Sequence, residues 1–232
     1  SKEDQTAYSA IKNNAFTYRV GVVYLPDPSV SVYGSIASFF KPIRTLYSPT
    51  TVYVDKEGYV FEPKMNEQIF KPESGYQAEI GSKYTLNNMI SANASLFYIR
   101  RENATQRLGS MPVEENGTTT NKTITGQVGV MDSKGFDIEF TFTPVSSMNI
   151  TTGYSFTDAR IRDIATVKDP AILEYVTSGL DDNSGNYQTM VPKNNFYALG
   201  DYVIPKGVFK NLGFMLSVSF MDKVYRNVAN DK

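Results

Sequence analysis

Glu79 with Lys83, Asp137 with Glu139, and Arg19 and Asp201 elsewhere are the ionisable residues of this sequence whose spacing could support chemistry. Two carboxylates set two residues apart, with a cation in reach, could share the work of a general acid and a general base. The rest of the composition argues against that use. The chain contains no His and no Cys, which removes imidazole bases, thiol nucleophiles and the usual zinc ligands together. An enzyme reading is therefore left without a complete catalytic set. A plainer role is a network of charges on a water-facing strand surface, pairing with neighbouring strands.

A second group could bind rather than react. Phe97, Ile99 and Arg101 alternate near the end of one strand-like run, and an aromatic face beside a guanidinium suits an anionic or aromatic ligand. Tyr47, Tyr53, Tyr59, Phe61 and Tyr187 lie in long connections and are candidates of the same kind. Packing within the loops is the alternative role for each. Asn93, Asn103, Asn116, Asn121 and Asn149 each begin an Asn-x-Ser/Thr triplet. Two of them fall inside strands, and all five are read as chance in a Thr- and Asn-rich chain.

The elements that must hold these residues are strands. Period-2 alternation marks eight, over 16–25, 30–40, 76–85, 89–101, 134–144, 148–158, 194–204 and 212–222. One short helix is conceivable within Pro170–Val176. Connections at 26–29, 86–88, 145–147 and 205–211 are short, and those at 41–75, 102–133 and 159–193 are long. Short and long alternate without exception, so one end of the sheet should carry tight turns and the other three long loops. Long structureless loops are uncommon in ordinary domains, whereas outer-membrane barrels have short turns on one side and long loops on the other.

The strand faces agree with a barrel. One face carries Val20, Val22 and Tyr24; Tyr76, Ile80 and Tyr84; Leu96 and Tyr98; Phe136, Ile138 and Phe140; and Phe214, Leu216 and Phe220, with no charge between them. The other face carries Arg19, Glu79, Lys83, Asp137, Glu139 and Asp201 among Ser, Thr, Asn and Gly. A soluble sandwich also alternates. Runs of this length favour the barrel, since a tilted spanning strand needs about 9–11 residues and globular strands average about 5–6. No apolar run is long enough for a transmembrane helix, and 23 basic against 24 acidic residues leave no footprint for nucleic acid. The N-terminal Ser-Lys-Glu-Asp-Gln-Thr is too polar for a signal peptide. The expected fold is all-β: an antiparallel up-and-down sheet of about eight strands, part of a larger barrel whose remaining strands lie outside residues 1–232.

The segment Phe16-Thr-Tyr-Arg-Val-Gly-Val-Val-Tyr24, its Pro-containing turn, and the ending Ser38-Phe-Phe-Lys-Pro42 resemble a paired-strand signature of TonB-dependent siderophore receptors. Phe70-Lys-Pro-Glu-Ser-Gly-Tyr-Gln-Ala-Glu-Ile-Gly-Ser-Lys-Tyr84, Lys134-Gly-Phe-Asp-Ile-Glu139, Tyr154-Ser-Phe-Thr-Asp-Ala159 and Val191-Pro-Lys-Asn194 are similar to further stations of that family, in the same order. Asp137 stands where the family usually has Glu, and Phe39-Phe40 adds an aromatic. The resemblance, to the ferrichrome-type branch, implies a 22-stranded barrel in the bacterial outer membrane. It also implies a plug domain and a TonB-contacting N-terminal region outside this sequence. The implied partners are a ferric siderophore, the TonB complex and outer-membrane lipid. On that resemblance the siderophore coordinates the iron, so neither a protein metal site nor a cofactor is expected, and the chain is not an enzyme. A soluble extracellular module for carbohydrate or protein is the alternative.

Overall fold

The computed structural model describes residues 13–42, 48–63, 69–87, 89–115, 117–127, 129–163, 166–177, 184–226 and 230. Twelve strands run along them. The first six are β1 (Arg19–Asp27), β2 (Val30–Lys41), β3 (Thr51–Val54), β4 (Val60–Phe61), β5 (Glu73–Leu86) and β6 (Ile90–Glu102). The others are β7 (Thr105–Glu115), β8 (Thr118–Gln127), β9 (Val130–Val145), β10 (Met148–Asp163), β11 (Asn194–Val203) and β12 (Gly213–Met221).

Eight of them form one antiparallel sheet in the order β1-β2-β5-β6-β9-β10-β11-β12. These are the eight strands the alternation predicts, with β9 and β10 running several residues beyond the expected ends. Since neighbours are antiparallel, the tight turns all fall at one end and the three long connections at the other. Local chemistry makes the turns. The Asp27 carboxylate accepts the Ser29 hydroxyl at 2.6 Å and the Ser29 N–H at 2.9 Å, which holds it below the usual carboxylate range. Asn87 and Asn211 supply the left-handed backbone, at φ 47 and 70, that the second and fourth turns need. Ser146-Ser147 alone joins β9 to β10.

Register decides which residues share a face, because side chains alternate with a period of two. Gly34 opposes Ile80, and Ile80 opposes Leu96. Leu96 opposes Phe136, and Ile138 opposes Tyr154. Tyr154 opposes Phe196, which opposes Phe220. The apolar positions therefore merge into one continuous face. No described residue covers it: Val20 is 60% exposed, Ile80 57%, Leu96 60% and Leu216 74%. A sandwich would bury those residues under a second sheet. Tyr76 and Tyr84, at opposite ends of the β5 stripe, are about 27 Å apart along the strand, close to the roughly 25 Å apolar band of a membrane barrel.

The long connections are not structureless, which corrects the sequence reading. β3, β4, β7 and β8 build a second, four-stranded sheet in the order β4-β3-β8-β7, with β3 parallel to β8. Its core joins all three loops: Val54 from the first, Leu108 and Ile124 from the second, and Val167, Ile172 and Val176 from the third. The Lys168 N–H donates to the Gly58 carbonyl at 2.8 Å, and the Thr177 N–H to the Leu108 carbonyl at 2.8 Å. Leu173–Tyr175 form a single 3-10 turn within the stretch read as a possible helix. β3 and β4 are only four and two residues long, and β3 pairs with residues 72 positions further on, Thr51 with Thr123, so no local periodicity announces them.

Candidate functional site

The expected polar face exists. Ser35 opposes Glu79, which opposes Phe97. Asn93 opposes Glu139, Glu139 opposes Gly153, and Gly153 opposes Tyr197. Arg19, Lys83, Asp137 and Asp201 have the same parity within their strands and share this side. The expected pairing among these charges is absent: none of the six takes part in an ion pair among the described residues. The Tyr33 hydroxyl instead donates to Glu79 Oε1 at 2.9 Å, and the Tyr197 hydroxyl to Glu139 Oε2 at 2.6 Å. Asn149 Nδ2 donates to Asp201 at 3.4 Å.

Each of these tyrosines lies across a glycine directly opposite it in the ladder. A Cβ added at Gly81 would meet the Tyr33 ring at 2.5 Å, and one at Gly153 would meet the Tyr197 ring at 2.3 Å. Phe39 covers Gly75, and Phe97 covers Gly135, in the same way. Four aromatic rings thus lie against the inner wall over bare backbone. They are a register-dependent feature that the sequence reading did not identify, and opposed aromatic–Gly pairs are the signal that was available.

The ligand-contact candidates do not converge. Phe97 lines a recess of about 270 Å³ on this wall with Gln77, Glu79, Ile99 and Asp137. Tyr53 and Phe61 line another, of about 390 Å³, in the second sheet beside Lys122. Tyr53 is only 2% exposed and packs edge-on against Phe70 at 5.9 Å. Tyr59 is exposed, and its N–H donates to Asp55. Tyr187 opposes Arg160, whose guanidinium lies 3.7 Å from its ring centroid, and stacks on Tyr225 at 5.6 Å. Arg160 has the parity of Phe156, so Tyr187 belongs to the apolar side of the sheet. Tyr47 lies outside the described residues.

Arg101 enters an open cavity of about 530 Å³ where the outer end of the main sheet meets the second sheet. Arg107 from β7 and Arg226 from beyond β12 also line it, with Thr105, Gln188 and Thr189. Arg101 is tied by its Nε and by an ion pair, both 2.8 Å, to Glu73, which is nearly buried and also faces Lys41 at 3.8 Å. Gln188 is buried and spends its amide N–H groups on the Asp132 and Arg160 carbonyls and the Ser133 hydroxyl. That anchoring fixes the cavity floor. Arg107 and Gln188 escaped the sequence reading because the first lies on a strand taken for loop and the second beside a more conspicuous tyrosine.

A family model described as TonB dependent receptor-like, beta-barrel, matches residues 1–232. The chain is 25% identical over 150 residues to the ferric-pyoverdine 358 receptor of Pseudomonas putida, covering 65% of this chain and 16% of the relative. It is 24% identical over 216 residues to the ferrichrome outer membrane transporter/phage receptor of Escherichia coli (strain K12), covering 93% of this chain and 23% of the relative. The chain thus spans less than a quarter of the length of either curated relative. Among solved structures, the siderophore receptor PiuA from Acinetobacter baumannii shares the fold with a TM-score of 0.65 at 23% identity, over 93% of this chain and 27% of that one.

Proposed function

Because the chain belongs to the TonB-dependent receptor-like β-barrel family, we propose that it forms part of the wall and outer mouth of a receptor that imports a ferric siderophore. It lies in the bacterial outer membrane. The observation that carries the reading is the uncovered apolar face, continuous in register across eight strands, backed by a polar face and surmounted by an ordered second sheet. Lipid is the only solvent that stabilises such a face, as water would leave its aromatic and aliphatic rows uncompensated. A soluble binding module would need a second layer over that face, and the described residues form none there.

In this proposal further strands from outside the sequence close the barrel on β1 and β12. A plug domain, also outside it, fills the lumen against Glu79, Asp137 and Glu139. Glu79 and Glu139, each held by a tyrosine, and Asp137 serve as acceptors for the plug, and Arg19, Lys83 and Asp201 extend that polar lining. Arg101 contributes to first capture of the chelate, with Phe97 lower on the wall and Tyr47, Tyr59 and Phe61 as further candidate contacts in the outer loops, whereas buried Tyr53 and Tyr187 on the apolar side serve packing. The TonB complex drives release inward through the missing N-terminal region, and the iron travels as cargo inside its chelator.

Uptake of a panel of radiolabelled ferric chelates, compared between cells with and without the full-length receptor, tests this. At least one chelate should enter only when both the receptor and TonB are present. Identical uptake of every chelate in cells lacking the receptor would defeat the reading.

A further inference from the structure

We propose that the cavity bounded by Arg101, Arg107 and Arg226 is a polyanion site, and that the chelate this receptor takes up carries net negative charge. The inference rests on the receptor reading above and adds the charge class of the cargo.

Arg101 and Arg107 lie six residues apart, at the outer end of β6 and the start of β7, and Arg226 joins them from the remote segment after β12. Their convergence is notable in a chain of net charge −1. No carboxylate lines the cavity among the described residues. Arg101 shares its charge with Glu73 at the rim. Arg107 makes one long contact, from its Nε to the Gly109 carbonyl at 3.4 Å, and neither it nor Arg226 has an ion pair among the described residues. The arginines of the neighbouring outer strand ends are matched, Arg100 and Arg162 with Asp132 and Arg160 with Asp158. Arg107 and Arg226 differ from those three in lacking such a carboxylate among the described residues.

Its other lining groups suit a ligand rich in acceptor oxygens. Thr105 and Thr189 offer hydroxyls beside the cations, and Met131 and Val191 supply a small apolar wall. A volume of about 530 Å³ falls within the roughly 300–1,000 Å³ of pockets that hold drug-sized ligands. Guanidiniums bind carboxylate or catecholate oxygens in a planar, often two-point geometry, and a neutral chelate of the same size would leave them unanswered.

The test uses the full-length purified receptor and three probes: the trianionic gallium tris(catecholate), a neutral gallium tris(hydroxamate), and metal-free citrate. Arg107 and Arg226 are exposed, so the double change Arg107→Gln with Arg226→Gln should leave assembly intact. We expect it to weaken the two anionic probes by about tenfold or more, two charge-assisted contacts being lost, and to leave the neutral one unchanged. Lys at both positions should restore part of the anion affinity. Citrate binding that depends on these arginines, without binding of any gallium chelate, would uphold the anion site while defeating the siderophore reading. Equal affinity of the unaltered receptor for anionic and neutral probes would overturn the proposal, as would anion binding indifferent to the arginines.

Discussion

The ring of Tyr197 occupies the volume that a side chain at position 153 would fill: a Cβ on Gly153 would lie 2.3 Å from Tyr197 Cε1. The two residues are directly opposed in the β10–β11 ladder, and the phenol reaches across to Glu139 on β9. One side chain thereby spans three strands. Gly153→Val should expel the ring and cost about 1–3 kcal/mol, the usual penalty of overpacking. Tyr197→Phe should keep the ring in place and cost about 1 kcal/mol, for one hydrogen bond. Unfolding of the detergent-solubilised receptor by denaturant measures both, and equal costs would show that the glycine is not there to receive the ring.

The continuous apolar face predicts a sharp asymmetry between neighbours. Phe140 opposes Ala92 on that face, while Thr141 opposes Ser91 and approaches Thr151 Oγ1 at 3.3 Å on the other. Phe140→Arg places a charge in hydrocarbon, at roughly 2–4 kcal/mol near the midplane. Thr141→Arg places it in a polar lumen. The first variant should assemble poorly in outer membranes and the second well, as judged by heat-modifiable mobility of the receptor. Similar yields would mean that neither face meets lipid, and the opposite order would mean that the faces are reversed.

Glu73 and Arg101 form an ion pair at the outer end, with the carboxylate side chain 9% exposed and the guanidinium 39%. Solvent reaches the arginine, so the pair itself is worth only about 1 kcal/mol. Removing Arg101 alone should cost more than removing both partners, because among the described residues it leaves a nearly buried carboxylate with Lys41, 3.8 Å away, as its remaining cation. A double-mutant cycle on Arg101→Ala and Glu73→Gln measures this, with a coupling above about 0.5 kcal/mol expected for residues in contact. Strict additivity would place the pair outside the stability of this end.

The three long loops should move as one unit. A Cβ on Gly109 would lie 2.1 Å from the Tyr175 carbonyl oxygen, at the bridge where β7 meets Val176. Gly109→Val should part the second loop from the third and expose Leu108 and Val176 together. Hydrogen exchange should then rise in both 105–115 and 166–177 while the main sheet stays protected. A rise confined to 105–115 would show that the loops fold independently.

What the sequence determined by itself is the part governed by local repetition. Val20, Ile80, Leu96 and Phe140 reveal one face, and Arg19, Glu79 and Glu139 the other, because a strand alternates with period two whatever its partners. Alternating connection lengths then fix which end is which in an up-and-down sheet. Tertiary structure decided everything that needs two remote segments. Thr51–Val54 pairs in parallel with residues 123–126, a contact that no window of sequence contains and that only the common burial of Val54, Leu108 and Ile124 stabilises. Tyr197 meets Gly153 through register alone, and a one-residue slip would put the ring on the lipid side. Arg101, Arg107 and Arg226 share a cavity because the second sheet folds back over the outer rim. Local pattern sets the direction of a side chain, whereas its partners are set by loop closure and packing, whose energies are distributed over the whole chain.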